Sequence, residues 1–158
     1  MPSERPGGTE MTPRRALLVV GVGSVLVRPL AAQVANPAAL QAAITAFSGG
    51  RAVRDGRVLL AIDTLVENGN TVPVSVSVDS PMTPADHVQR IALFTESNPQ
   101  PEVAVFHFSP ASGRAQVSTR MRMATSQHVV ALAQLSDGSV WQQRVAVVVS
   151  LAACLEGG

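Results

Sequence analysis

Apolar and polar residues alternate along most of this chain. Between Thr71 and Asp79, Val72, Val74, Val76 and Val78 fall on one side of an extended backbone, and Pro73, Ser75, Ser77 and Asp79 fall on the other. A period of two with one apolar side is the mark of a half-buried strand. Pro73 has no N–H to give to a ladder, so this strand is expected at a sheet edge, or bulged at that residue. Arg114 to Met123 repeats the pattern, with Ala115, Val117, Thr119, Met121 and Met123 set against Gln116, Ser118, Arg120 and Arg122. Further strands are predicted at Arg57 to Ile62, Val88 to Thr95, Val103 to Ser109, His128 to Leu135 and Val140 to Leu151, separated by clusters of Gly, Pro, Asn and Ser. Ser136-Asp137-Gly138 is the turn of the last hairpin.

A different period precedes the strands. Asn36 reads as a helix N-cap, with Pro37 at the first helical position, where a missing N–H costs nothing. Leu40, Ala43, Ile44 and Phe47 share one face, and Gly49-Gly50 stop the helix. The mature chain is thus read as a short helix within 33–50, a strand domain over 51–151 and a tail over 152–158. About seven short strands with near-regular turn signals favour an all-β fold, an immunoglobulin-like antiparallel sandwich. A parallel sheet would need a helix between successive strands. A small closed barrel is the alternative.

The first 32 residues have another character. A polar leader, Met1 to Glu10, is followed by Arg14-Arg15, by the apolar run Ala16 to Val27, and then by Arg28-Pro29 and the small residues Ala31-Ala32. That order reads as an export signal cleaved near Ala32. The run falls short of the roughly 20 residues that span a bilayer. Gly21, Gly23 and Ser24 also make it a poor core helix. The arginine pair ahead of a mildly apolar run suits the twin-arginine route, which exports folded proteins.

Composition narrows the functional classes. With 46% apolar and 15% charged residues the chain can bury a core. A formal charge of +1 with only five Phe and Trp residues offers neither a phosphate-tracking stripe nor a stacking platform, which argues against nucleic acid. His87, His107 and His128 stand singly, without metal-ligand spacing, so no metal site is expected. Gly21-Val22-Gly23-Ser24 resembles a hydrolase elbow only within the discarded leader. Asp79 and Asp86 bracket Ser80-Pro81-Met82-Thr83-Pro84; acid–base work is conceivable there, but short acceptors capping a loop explain them better. Arg120 and Arg122 read as a solvent face rather than an anion site.

Cys154 remains. It is the only cysteine, so it cannot close an internal disulfide, and export would carry it into an oxidising compartment. The alternative, an inert buried thiol, is opposed by the last four residues: Leu155, Glu156, Gly157 and Gly158 carry a charge and the chain carboxylate. Those two negative groups raise a thiol pKa, and no activating histidine or lysine is near in sequence, so no catalytic residue is assigned. From Leu151 to Cys154 an extended chain reaches roughly 10 Å, enough to offer the sulfur to another protein's cleft.

At these residues the chain resembles SoxY, the sulfur-carrier subunit of bacterial thiosulfate oxidation. The likeness runs from the twin-arginine leader through Asn68-Gly69-Asn70, Asp79-Ser80-Pro81-Met82 and Asn98 to Arg122, with Val105-Phe106-His107-Phe108 and Gly113-Arg114 inside the last segment. It ends in Ser136-Asp137-Gly138 and the cysteine tail. The resemblance implies an immunoglobulin-like sandwich in the periplasm, paired with a SoxZ-like subunit. Cys154 would be the site of covalent sulfur attachment, with no cofactor beyond that adduct. A c-type haem enzyme would load thiosulfate and a metal-dependent hydrolase would remove sulfate, the chain itself being no enzyme.

The arm departs from the family's usual Gly-Gly-Cys-Gly-Gly. Ala152 and Ala153 precede Cys154, and Leu155, Glu156, Gly157 and Gly158 come after it, similar to a SoxY-related branch with an Ala-Ala-Cys-Ile-Glu arm. Such an arm is stiffer and bulkier than one of glycines. The competing functional class is a non-carrier interaction module whose cysteine makes an intermolecular disulfide.

Overall fold

A computed structural model describes residues 35–153. The segment 1–32, predicted to be an export signal, and the tail residues Cys154, Leu155, Glu156, Gly157 and Gly158 lie outside the described residues. The first element is a helix, α1, Pro37–Ser48. Asn36 caps it, its Oδ1 accepting the Ala39 N–H at 3.0 Å, and Gly49 ends it at φ 63°, a left-handed conformation that glycine adopts without penalty.

Nine strands come next: β1 Val53–Asp55, β2 Val58–Ile62, β3 Leu65–Asn68, β4 Val72–Val78, β5 Val88–Thr95, β6 Glu102–His107, β7 Gln116–Met121, β8 Gln127–Leu135 and β9 Val140–Leu151. The smaller sheet has the order β2-β4-β7. The larger has the order β1-β9-β8-β5-β6, with β3 also paired to β9. Val58, Leu60, Val72, Val74, Val76, Val78 and Met121 from the smaller sheet meet Ile91, Leu93, Val129, Ala131, Ala133, Leu135 and Val147 from the larger in one buried cluster. The alternation seen in the sequence is the inner face of this sandwich. Both sheets have free edges, so the barrel alternative is set aside.

The seven predicted strands are all present, with ends shifted by up to two residues, and β1 and β3 are additional. Both lie parallel to β9, Val53 against Val140 and Leu65 against Val148, whereas every other pairing is antiparallel. Between Asp55 and Leu65 the chain takes more residues than β9 does between their partners Gln142 and Val148, and the excess swings out as β2 to join the opposite sheet.

Pro73 corrects the expectation of an edge strand or a bulge, because β4 is the middle strand of the smaller sheet. The pairing with β2 ends at Val74, however, so Pro73 keeps a neighbour only in β7, opposite Arg120. A missing donor is tolerated where one side of the ladder has already ended.

The larger sheet is covered on its outer face by α1. Leu40, Ile44 and Phe47 pack on Ala92, Phe94, Val130, Leu132 and Val140, and Phe47 meets Phe94 edge-on at 5.9 Å. Strands β5 and β8 are therefore buried on both faces, which is why their sequences read as nearly continuous apolar runs. The Ser136-Asp137-Gly138 turn forms as predicted, with Gly138 at φ 80° and the Asp137 carboxylate accepting the Ser139 N–H at 2.8 Å. Among the described residues no helix is long and apolar enough to cross a membrane.

Candidate functional site at the root of the C-terminal arm

Strand β9 outlasts its main partner. Its ladder with β8 ends at Val147, and from Val148 to Leu151 it is paired only with β3. On one side of this pair the apolar side chains face water, Leu65 66% exposed, Val148 55% and Leu151 62%, while Val66 and Val149 on the other side pack on the core. A strand end so lightly covered would fray without other restraints, and the structure supplies them from the backbone. The Gly69 N–H donates to the Leu151 carbonyl at 2.8 Å, and the Met123 N–H donates to the Gly69 carbonyl at 2.8 Å. The Ala153 N–H then donates to the Met123 carbonyl at 3.0 Å. Thr64 and Ser126 add bonds to the Val148 and Val149 N–H groups, at 2.8 and 2.9 Å.

Met123 can serve as an anchor because it is itself fixed. Its side chain is fully buried in the sandwich core. Asn98 grips the chain on either side of it, donating to the Arg122 carbonyl at 2.8 Å and accepting the Ala124 N–H at 3.0 Å. Gln127, buried, donates to Asn98 at 2.9 Å and accepts the Ser97 N–H at 2.7 Å. These are amides and backbone groups, which hold a chain in place and do not titrate near neutrality.

Of the predicted arm residues, Ala152 is exposed and Ala153 is buried. The reach of roughly 10 Å counted from Leu151 therefore does not start there, because the chain is held as far as Ala153. Gly69, Met123, Asn98 and Gln127 were not singled out as site residues by the sequence. Asn68-Gly69-Asn70 looks like an ordinary turn, and only the pairing of β3 with β9 shows what Gly69 touches.

The other candidate groups lie elsewhere. His87 Nδ1 is 3.1 Å from the Thr83 carbonyl, and His107 ends β6, exposed. His128 Nδ1 is 2.7 Å from Glu96, whose other oxygen is 3.4 Å from Arg144. The His128 hydrogen bond, aided by the Arg144 charge, holds the Glu96 carboxyl below its usual pKa although burial pushes it up. Among the described residues no three His, Cys, Asp or Glu side chains gather as metal ligands would. Ser80 and Thr83, rather than the aspartates, cap the loop between Asp79 and Asp86, and the Asp86 carboxylate pairs with Arg57 at 3.4 Å. Arg120 and Arg122 are exposed, as a solvent face predicts.

A sequence model of the family described as "Sulfur oxidation protein SoxY" matches residues 44–154, from within α1 through the cysteine. The chain belongs to the SoxY family. Among solved structures, the sulfur carrier protein SoxY from Chlorobium limicola f thiosulfatophilum is 29% identical. The likeness covers 71% of this chain and 92% of that one at a TM-score of 0.61. A superoxide reductase (neelaredoxin) from Ignicoccus hospitalis is 20% identical over 58% of this chain and 78% of its own, with a TM-score of 0.53. A superoxide reductase from Nanoarchaeum equitans is 12% identical over 61% of this chain and all of its own, with a TM-score of 0.52. These two share the fold alone, so the sandwich by itself does not decide an activity. No curated protein matches the chain. The SoxY match agrees with the predicted all-β, immunoglobulin-like sandwich.

Proposed function

We propose that this SoxY-family chain is a periplasmic carrier in sulfur oxidation, holding sulfur-compound intermediates covalently on Cys154 while partner enzymes act on them. The observation that carries the reading is a family match that extends through Cys154, joined to the likeness to a Chlorobium protein named as a sulfur carrier. The arm root fits that role physically. Its bonds come from amides and backbone, and it places no acid or base among the described groups that hold Ala153. The reactions then belong to partners: a c-type haem enzyme that loads the thiol and a metal-dependent hydrolase that removes sulfate. A SoxZ-like subunit is the structural partner, and the twin-arginine leader takes the folded chain out of the cytosol.

Mass spectrometry of the C-terminal peptide from native periplasm tests this. Sulfur-bearing adducts on Cys154 that a reductant releases are the expected result. A free thiol only, or a single protein–protein disulfide, would sink carriage and favour the tethered interaction module.

A further inference from the structure

Gly69 lies where three chain segments meet, its own, that of Met123 and that of Ala153. It is buried, and its φ is not in the left-handed region, so no turn conformation calls for glycine here. Space does. A Cβ on residue 69 would stand 2.5 Å from the Met123 carbonyl oxygen, 2.9 Å from the Ala153 nitrogen and 3.1 Å from Val149 Cγ1. The first two are backbone atoms and lie closer than a methyl carbon can approach, so any side chain must push at least one segment away. The segment with least to hold it is the arm, since Met123 is buried and braced by Asn98 on both sides.

We infer that Gly69 is a positioning residue for the arm: its bare backbone lets Met123 and Ala153 close over it, so the chain is tethered as far as the residue before Cys154. The inference rests on reading Cys154 as the sulfur-bearing residue. Its consequence is geometric. Each residue released from the bracket lengthens the free tether by about 3.3–3.6 Å. Freeing Ala152 and Ala153 would spread the sulfur over a larger volume and lower its effective concentration at any fixed partner site. The bracket thus trades reach for placement, and the partner's cleft must come to the arm.

The single cysteine makes the test direct. A nitroxide attached to Cys154 of the full mature chain should give a spectrum with a broadened, motionally restricted component. Gly69→Ala should lose that component, and the Ala153 amide should lose its protection from hydrogen exchange while the core amides of β5 keep theirs. If Gly69→Ala does not fold, Ala153→Pro decides, because it removes the N–H that bonds Met123 and puts a ring in its place, a change confined to the arm root outside the buried cluster of the sandwich. Loss of the broadened component in Ala153→Pro with an unchanged melting temperature supports the bracket. A label equally mobile in the wild type, or equally restricted in the variants, overturns it, since a merely structural glycine would move the melting temperature and not the spectrum. These spectra need no sulfur cargo, so an absence of adducts in native protein would defeat the carrier reading separately.

Discussion

The two ends of β9 are built on opposite terms. At its start Val140 is fully buried, paired with Gln134 of β8 and Val53 of β1 and covered by α1. At its finish Val148 and Leu151 are more than half exposed and β3 is the sole partner. A glycine serves each end for a different reason. Gly138 is needed for its conformation, φ 80° in the hairpin, and Gly69 for its lack of volume. The first end secures the fold, and the second holds the chain as far as Ala153. Stability and placement of the arm are then expected to be separable along a single strand.

Substitutions can break or sharpen that contrast. The largest effect belongs to the buried end: Leu135→Ala, beside the hairpin and fully buried, should cost about 2–5 kcal/mol. Urea unfolding followed by the fluorescence of Trp141, the only tryptophan, would measure it. A loss below that of a surface mutation would mean the start of β9 is not the stabilised end. Next, Gly138→Ala should cost about 1–2 kcal/mol, the penalty of a side chain in left-handed backbone, while a label on Cys154 keeps its spectrum. A changed spectrum would show that the two ends are coupled after all.

Glu96, paired with His128 and Arg144, offers a smaller effect with a pH signature. Its pKa is lowered in the fold from the ordinary 4.5, so its stabilisation is complete above that value and is lost as pH falls through the lowered one. Glu96→Gln should cost on the order of 1 kcal/mol at neutral pH and flatten the acid limb of a stability–pH curve below 4.5. An acid limb as steep as in the wild type would assign it to other carboxylates. Smallest of all, Leu151→Ala at the exposed end should shift stability by no more than about 0.5 kcal/mol. A shift comparable to Leu135→Ala would erase the difference between the ends.

The strands that alternate were legible because one side of each meets the core and the other meets water. Val72 to Val78 shows this most plainly. Strands β1 and β3 were not legible: Val53-Arg54-Asp55 carries two exposed charges, and Leu65 to Asn68 buries only Val66. Short edge strands owe their pairing to a neighbour distant in sequence, here β9, and local pattern contains little of that. The proline of β4 misled for a related reason, since its position relative to the end of β2 is a matter of register. At the site, Cys154 stood out by being alone, and the family resemblance rested on the same residues. The bracket around Gly69 was hidden, because a glycine required for space looks like any turn glycine until Met123 and Ala153 are brought against it.

We propose that sulfur travels on Cys154. Cells producing either the wild-type chain or Cys154→Ser, given a radiolabelled inorganic sulfur compound, would show it on a non-reducing gel. The expected result is label on the wild-type protein, released by a reductant and absent from Cys154→Ser, with both proteins equally folded. Wild-type protein that stays unlabelled, or label that persists on Cys154→Ser, would contradict it.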